Sequence, residues 1–149
     1  MSADAAASLN AAARVRQLTD LTRSLTARLT AELAAFEARR PQDAMASLPQ
    51  TQELANLYRR ESAQVKADPS ILSAAPSAER MALVRETEAF EAILGRHARA
   101  VEAARIISEG LVRAIAAEVA SARGSPSAYG ASGHAALGDG RAVALNRTA

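Results

Sequence analysis

The longest uninterrupted helical pattern in the chain runs from Ser77 to Arg123 without a proline. Apolar or small residues recur within it by alternating steps of four and three, which is a 3.5-residue repeat. The seam consists of Leu83, Thr87, Phe90, Leu94, His97, Val101, Ala104, Ser108, Leu111, Ile115, Glu118 and Ala122. A repeat of this period keeps one side of a helix against a partner helix, so it predicts a long, coiled-coil-like helix over residues 77–123.

Two shorter amphipathic segments precede this helix. Aliphatic residues between Val15 and Phe36 recur at helical spacing and predict a first helix over residues 8–40, with Ser8 as its N-cap. After the linker PQDAMASLPQ we expect a second helix over residues 49–67, and then a loop that can contain one helical turn. Short connections make consecutive helices antiparallel, so the predicted fold is all-α, an antiparallel three-helix bundle over residues 1–123.

The last 26 residues, 124–149, are rich in Gly, Ala and Ser and contain few large apolar side chains. Gly124-Ser125-Pro126 is expected to end the third helix, and a segment of this composition cannot form a core of its own. We therefore predict a flexible C-terminal tail. An alternative remains open, because the GDG turn signal between HAAL and RAVALN is compatible with a short hairpin.

The composition argues against several functional classes. Hydrophobic residues make up 49% of the chain but aromatic residues only 3%, which favours helices packed through small side chains. Arginine and glutamate are interspersed and the formal charge is only +2, so no nucleic acid is expected as a partner. Without cysteine, a long apolar run or a basic N-terminal region, we expect no disulfide, no transmembrane segment and a cytoplasmic location.

Few residues of the chain could support catalysis. We interpret His97, on the seam of the third helix, as packed among Leu94 and Val101 with one hydrogen bond. The competing interpretation is a phosphorylated histidine, but GRHARAVEA lacks the Leu-Lys-Gly run of histidine phosphotransfer domains. His134 lies in the tail, and neither a phosphate-binding loop nor a pair of histidines at i and i+4 occurs. We expect no enzymatic activity, no catalytic or metal-binding residue and no cofactor.

The three predicted helices differ in length, at about 48, 28 and 70 Å. In a compact arrangement the third helix would extend about 40 Å beyond the first, which is about the length of residues 97–123. One apolar face continues over this part of the helix and consists of Ala104, Ile107, Leu111, Ile115, Val119 and Ala122. Two interpretations remain open. Either the first helix or a second copy of the chain covers this face, or the face is a groove for an amphipathic helix of another protein.

One charged residue, Glu118, lies on this otherwise apolar face. A carboxylate is costly in a permanent core, whereas at a reversible surface it stays hydrated until an Arg, Lys or amide of a guest arrives. Its presence therefore supports the groove. The many alanines between residues 104 and 122 leave room for a foreign helix, although alanine is also simply the best helix former.

Three segments of the chain resemble one protein family: LTDLTRSLTARLTAELAAFEARR, QTQELANLYRRESAQVKADP and ARIISEGLVRAIAAEVAS. They are similar to the FlgN-like flagellar export chaperones, in particular to the alphaproteobacterial FlbY-type branch. The resemblance implies a type III secretion chaperone that binds the amphipathic C-terminal helices of hook–filament junction proteins before export. The flagellar export apparatus is a second candidate partner. By position, the resemblance places binding on Ile107, Leu111, Val112, Ile115 and Val119.

The helical face and the resemblance together define a predicted client-binding site. Its residues are Ala104, Ile107, Leu111, Val112, Ile115, Glu118, Val119 and Ala122. The alternative function is a self-associating coiled-coil component of flagellar assembly, either structural or regulatory. In that homodimer the contacts would include Leu94, Val101, Ala104 and Leu111.

Overall fold

The computed structural model describes residues 2–130 of the chain, with side-chain environments as far as residue 124. Four helices occur in this part: α1 (Ala3–Glu37), α2 (Pro41–Ala67), α3 (Ser70–Ala74) and α4 (Ser77–Gly130). Residues 2–130 contain no strand, so the predicted all-α class is confirmed, with one short helix more than the three predicted. The predicted hairpin and His134 lie outside the described residues.

The chain divides into two compact units, Met1–Ala104 and Arg105–Ala149. α1, α2, α3 and the first part of α4 belong to the first unit, and α4 continues into the second. This boundary falls inside the predicted bundle of residues 1–123, because no side chain in residues 105–124 is buried. None of the described helices is long and apolar enough to cross a membrane.

α1 begins at Ala3, ahead of its predicted start. The hydroxyl of Ser2 accepts a hydrogen bond from the backbone N–H of Ala5 at 3.2 Å, so Ser2 is the N-cap and Ser8 lies inside the helix. The first turn consists mainly of alanine and carries no large apolar residue that would reveal its period. The high helix propensity of alanine nevertheless favours the helical conformation there.

α1 ends in a Schellman motif before its predicted boundary at Arg40. Arg39 adopts the left-handed conformation, with φ of 60°. The N–H of Arg39 donates to the carbonyl of Phe36 at 3.0 Å, and the N–H of Arg40 donates to the carbonyl of Ala35 at 2.8 Å. These bonds satisfy carbonyls that the end of a helix would otherwise leave unpaired, so α1 ends before Pro41.

The segment PQDAMASLPQ, predicted as a linker, is the first part of α2. Pro41 occupies the start of the helix, where a missing backbone N–H costs little. Pro49 lies inside the helix and removes one backbone hydrogen bond. Buried residues lie on both sides of it, Ala44 before and Thr51 after, so tertiary packing keeps this part helical. The predicted start of the second helix at Pro49 was therefore wrong.

The connection between α2 and α4 is part of the core. Asp68 accepts a hydrogen bond from the N–H of Ser70 at 3.2 Å, where α3 begins. Ala75 follows α3 and is buried with Ala11 and Val15 of α1. The partly buried residues Ile71, Leu72 and Leu83 pack against this cluster. The predicted loop with room for one helical turn is thus a short helix that closes one end of the apolar core.

Contacts between α1 and α2 have the antiparallel order that the sequence predicted. Arg14, near the start of α1, lies 3.7 Å from the carboxylate of Glu61, near the end of α2. Arg28, further along α1, donates to the side chain of Gln50, nearer the start of α2, at 3.1 Å. Later residues of α1 therefore contact earlier residues of α2, as in an antiparallel pair.

α1 and α4 run in the same direction, as expected for the first and third members of an antiparallel bundle. Ion pairs at Arg16–Glu79 and Arg23–Glu86 join the two helices at 2.8 and 3.1 Å. The partners advance together along the two helices, and a further pair joins Glu37 to Arg96 at 3.3 Å. The arginine of each pair is exposed, so the pairs contribute less to stability than to register.

The buried side of α4 in the first unit departs from the predicted seam at Leu94 and Val101, which are exposed, whereas Thr87 is half-buried as predicted. Phe90 is 8% exposed and Ile93 packs beside it against Leu25 and Leu29 of α1, whereas the predicted Leu94 is 44% exposed. The buried or half-buried positions include Leu83, Glu86, Phe90, Ile93, His97 and Ala100. In a 3.5-residue repeat the next core position after Phe90 can be three or four residues further on. In the structure it is three residues further on, at Ile93.

α4 continues to Gly130, past the segment Gly124-Ser125-Pro126 that was predicted to end it. Residues 124–130 therefore belong to the helix and not to the predicted tail. A proline removes one N–H donor but does not by itself end a helix. A glycine ends a helix only where its backbone adopts the left-handed conformation. The predicted C-terminal boundary at residue 123 was wrong for this reason.

Tyr58 of α2 packs against Phe90, with ring centroids 5.2 Å apart. Desolvation by burial, and then the negative charge of Glu91, raise the pKa of Tyr58 above 10.0. The folded state therefore holds the phenolic proton more tightly than the unfolded state does. Below pH 10 both states keep this proton, and above it the unfolded state loses it first, so the free energy of unfolding should fall as pH rises through this range.

Urea unfolding at about pH 9 and about pH 11 measures this effect, and the loss of stability should be smaller in Tyr58→Phe. Of the two tyrosines, Tyr129 can be removed as Tyr129→Phe, so that tyrosinate absorbance reports Tyr58 alone. Ionisation of Tyr58 at or below pH 10 in the folded protein would contradict the prediction.

Candidate functional site

The part of α4 in the second unit carries large aliphatic side chains that are exposed to solvent. Ile107, Leu111 and Ile115 are 70%, 59% and 54% exposed. Val112 and Val119 are exposed as well. A soluble protein rarely leaves a continuous aliphatic strip of this kind in water unless the strip binds a partner.

The spacing of these residues places them on one side of the helix. Ile107, Leu111, Ile115 and Val119 follow one another by four residues, and Val112 lies beside them. From Ile107 to Val119 they cover about 18 Å along the helix axis. We call these five residues the apolar strip.

The other predicted site residues differ in their surroundings. Glu118 is exposed and lies on the strip's side of the helix, between the directions of Ile107 and Leu111. Ala122 is exposed and continues this side by one turn. Ala104 is half-buried and belongs to the first unit, so the structure does not group it with the exposed residues.

The opposite side of this stretch carries charged residues, together with small residues and one large aliphatic residue. The guanidinium of Arg105 forms an ion pair with Glu109, and Arg113 follows one turn later. Helical geometry at 100° per residue places Glu109 and Arg113 away from the apolar strip. Ile106 also lies on that side and is 54% exposed, a feature that the sequence analysis did not identify. The helix therefore presents chemically distinct sides.

A buried polar cluster in the first unit was also missed by the sequence analysis. Glu32 of α1 is only 3% exposed and accepts a hydrogen bond from the hydroxyl of Thr51 of α2 at 3.1 Å. Its other carboxylate oxygen lies 3.8 Å from Nε2 of His97. The signal was present in the sequence, because Glu32 follows the apolar residue Leu25 by seven residues and Leu29 by three.

The side chain of His97 is only 17% exposed. Its ring contacts Phe36 of α1 edge-on, with centroids 6.0 Å apart, while Leu94 and Val101 are exposed. Its Nε2 is buried and makes no hydrogen bond among the described residues. A phosphoacceptor nitrogen must be accessible to a donor, and Nε2 is enclosed. This environment fits a packed residue that helps to join three helices.

The first unit also contains an open apolar hollow of about 320 Å³. It is lined by Leu25, Leu29, Thr51, Ala55, Tyr58, Arg59, Phe90 and Leu94. Most of these residues belong to the core that joins α1, α2 and α4, and few polar groups converge there as they do in ligand sites. No group of three potential ligands for a metal ion occurs within residues 2–130. The apolar strip thus remains the strongest candidate site in the described chain.

Comparison with known proteins relates the chain to a flagellar protein. The chain is 47% identical over 150 residues to the flagellar basal-body protein FlbY of Caulobacter vibrioides, and the alignment covers 97% of this chain and 99% of the relative. No protein-family model and no solved structure matches the chain. An alignment of this extent includes the apolar strip as well as the helices of the first unit.

Proposed function

The chain belongs to the FlbY family of flagellar proteins, and from this premise we propose that it is a chaperone of flagellar assembly that binds amphipathic helices of exported subunits. The clients are the C-terminal helices of hook–filament junction proteins. The chaperone holds them in the cytoplasm before type III secretion, without cofactor or catalysis. The flagellar export apparatus is its second partner.

One observation carries this proposal: the apolar strip is exposed. Its side chains at Ile107, Leu111 and Ile115 each leave more than half of their surface in water. A straight row of aliphatic side chains at steps of four residues is the complement of the apolar face of another helix. A client helix laid along the strip would remove apolar area from water on both partners, which is the main source of affinity in such complexes.

The position of the strip also suits a temporary complex. Exported subunits must leave their chaperone, so the contact has to be reversible. The strip is one side of a single helix and covers about 18 Å, which limits the area that a client can bury. An interface of this size supports a weak or transient complex better than a permanent one.

The alternative function is a self-associating component of flagellar assembly. Leu94 and Val101, which this alternative uses as dimer contacts together with Leu111, are 44%, 40% and 59% exposed and so are available for it. A second copy of the chain would then take the place of the client. The two functions differ in what the purified protein does at equilibrium.

Sedimentation equilibrium distinguishes the two functions. We expect the full-length chain to be a monomer at all concentrations tested and to form a 1:1 complex with the C-terminal helical segment of a hook–filament junction protein from the same organism. Co-purification from a flagellated host, followed by mass spectrometry, identifies the natural client. A tight dimer that does not respond to this segment would contradict the chaperone function and favour the alternative.

A further inference from the structure

We propose that Glu118 selects the guest of the apolar strip, by favouring amphipathic helices that carry a lysine or arginine within their own apolar face. This inference rests on the proposed function, because it requires that a helix binds along the strip. It adds a chemical requirement that apolar contact alone does not impose. The requirement follows from the position of the carboxylate and from the residues that surround it along the helix.

Glu118 has no possible counter-charge within its own helix. A glutamate in a helix reaches side chains three or four residues away in either direction. At these positions stand Ala114, Ile115, Ser121 and Ala122, none of which is charged. Among the described residues the structure contains no ion pair of Glu118.

The other glutamates of this stretch are placed differently. Glu109 has Arg105 four residues before it and Arg113 four residues after it, and it forms an ion pair with Arg105. Glu102 has arginines three residues away on each side. These carboxylates have local partners and lie away from the strip. Glu118 differs from them in both respects.

A guest helix on the strip would remove water from Glu118. Loss of hydration is costly for a carboxylate, and the cost is offset only if the guest supplies a hydrogen-bonded positive charge. An apolar residue opposite Glu118 leaves the charge uncompensated, and an acidic residue adds repulsion. The strip therefore selects its guest by apolar contact and by charge together, which is a common basis of specificity at interfaces.

The same carboxylate disfavours one obvious occupant. A second copy of the chain, aligned in parallel and in register, would place two Glu118 carboxylates against each other across the interface. Like charges at short distance in a partly desolvated contact repel strongly. A foreign helix with a basic residue avoids this repulsion, and we therefore assign the strip to such a helix.

Synthetic peptides test this inference with the full-length protein. The peptides are amphipathic helices about five turns long with a leucine face, and members of each pair differ only in a lysine or a glutamate within that face. Three pairs place this residue at successive turns, since the register of the guest is not fixed in advance. Fluorescence anisotropy measures the dissociation constants at low and at high salt.

We expect the unaltered protein to bind the best lysine peptide about tenfold more tightly than its glutamate counterpart. In Glu118→Lys this preference should reverse. The matched control is Glu109→Lys, which makes the same change in net charge on the opposite side of the helix. It should keep the original preference, because Glu109 lies away from the strip and does not contact the guest. An effect of net charge alone would be equal in the two variants.

Four results would overturn the inference, and they have different meanings. Equal binding of both peptides of every pair would remove the role of Glu118 while leaving helix binding intact. If Glu109→Lys reversed the peptide preference as strongly as Glu118→Lys, the preference would be an effect of net charge alone. Failure of all peptides to bind would reject the proposed function as well. A dimer that the peptides do not dissociate would assign the strip to a second copy.

Discussion

Replacing Phe90 by alanine should lower the free energy of unfolding by about 3–5 kcal/mol, because a large buried aromatic side chain leaves a cavity that its neighbours fill only in part. Phe90 is 8% exposed and packs with Leu25 and Leu29 of α1 and with Tyr58 of α2. It thus joins three helices at one point. Urea unfolding followed by circular dichroism measures the change.

Leu94→Ala is the matched control for this substitution. Leu94 lies one turn after Phe90 on the same helix but is 44% exposed, so its removal should cost well under half as much. The pair also tests the side of α4 that faces the core, because the 3.5-residue pattern alone assigned both residues to the seam. Equal losses in the two variants would contradict the burial that the structure assigns to Leu94.

The apolar pattern of α1 predicted its buried side well but not completely. Val15, Leu18, Leu25 and Leu29 were identified from their spacing, and all four are buried. Thr22 lies on the same side and is fully buried, which its polar side chain did not suggest. Its hydroxyl donates to the carbonyl of Leu18 at 2.7 Å, so the helix itself satisfies the polar group.

Helix ends were harder to predict because they depend on single backbone bonds and on packing elsewhere. Pro41 and Pro49 stand close together in the sequence and suggested a linker. One occupies the tolerated first turn of α2, and the other is held inside the helix by buried neighbours on both sides. No local pattern distinguishes these positions from those of a loop, since the difference lies in contacts with α1.

The apolar strip and the buried polar cluster differ in how far the sequence could predict them. Four of the five residues of the apolar strip were predicted from their spacing, because they share one helix and their relative directions follow from 100° per residue. Val112 was expected from the family resemblance. The cluster of Glu32, Thr51 and His97 brings together three helices, and the first two of these residues are 19 positions apart in sequence. Its members could be recognised only after the register of those helices was known.

Replacing Leu111 or Ile115 by aspartate should weaken the binding of a client helix by at least about 100-fold, because the new carboxylate would be buried without a partner at the centre of the contact. Neither variant should unfold the protein, since the two side chains are 59% and 54% exposed and contribute little to a core. Circular dichroism should therefore show unchanged helicity, while pull-down of the client segment fails.

Ile106→Asp is the control that separates loss of the strip from a general effect of added charge. Ile106 is an isoleucine of the same helix and is 54% exposed, the same fraction as Ile115, but it points away from the strip. Client binding should survive this substitution. If Leu111→Asp and Ile115→Asp unfold the chain, the strip is core and not a binding surface. If Ile106→Asp abolishes binding equally, recognition does not depend on the side of α4 that the strip occupies.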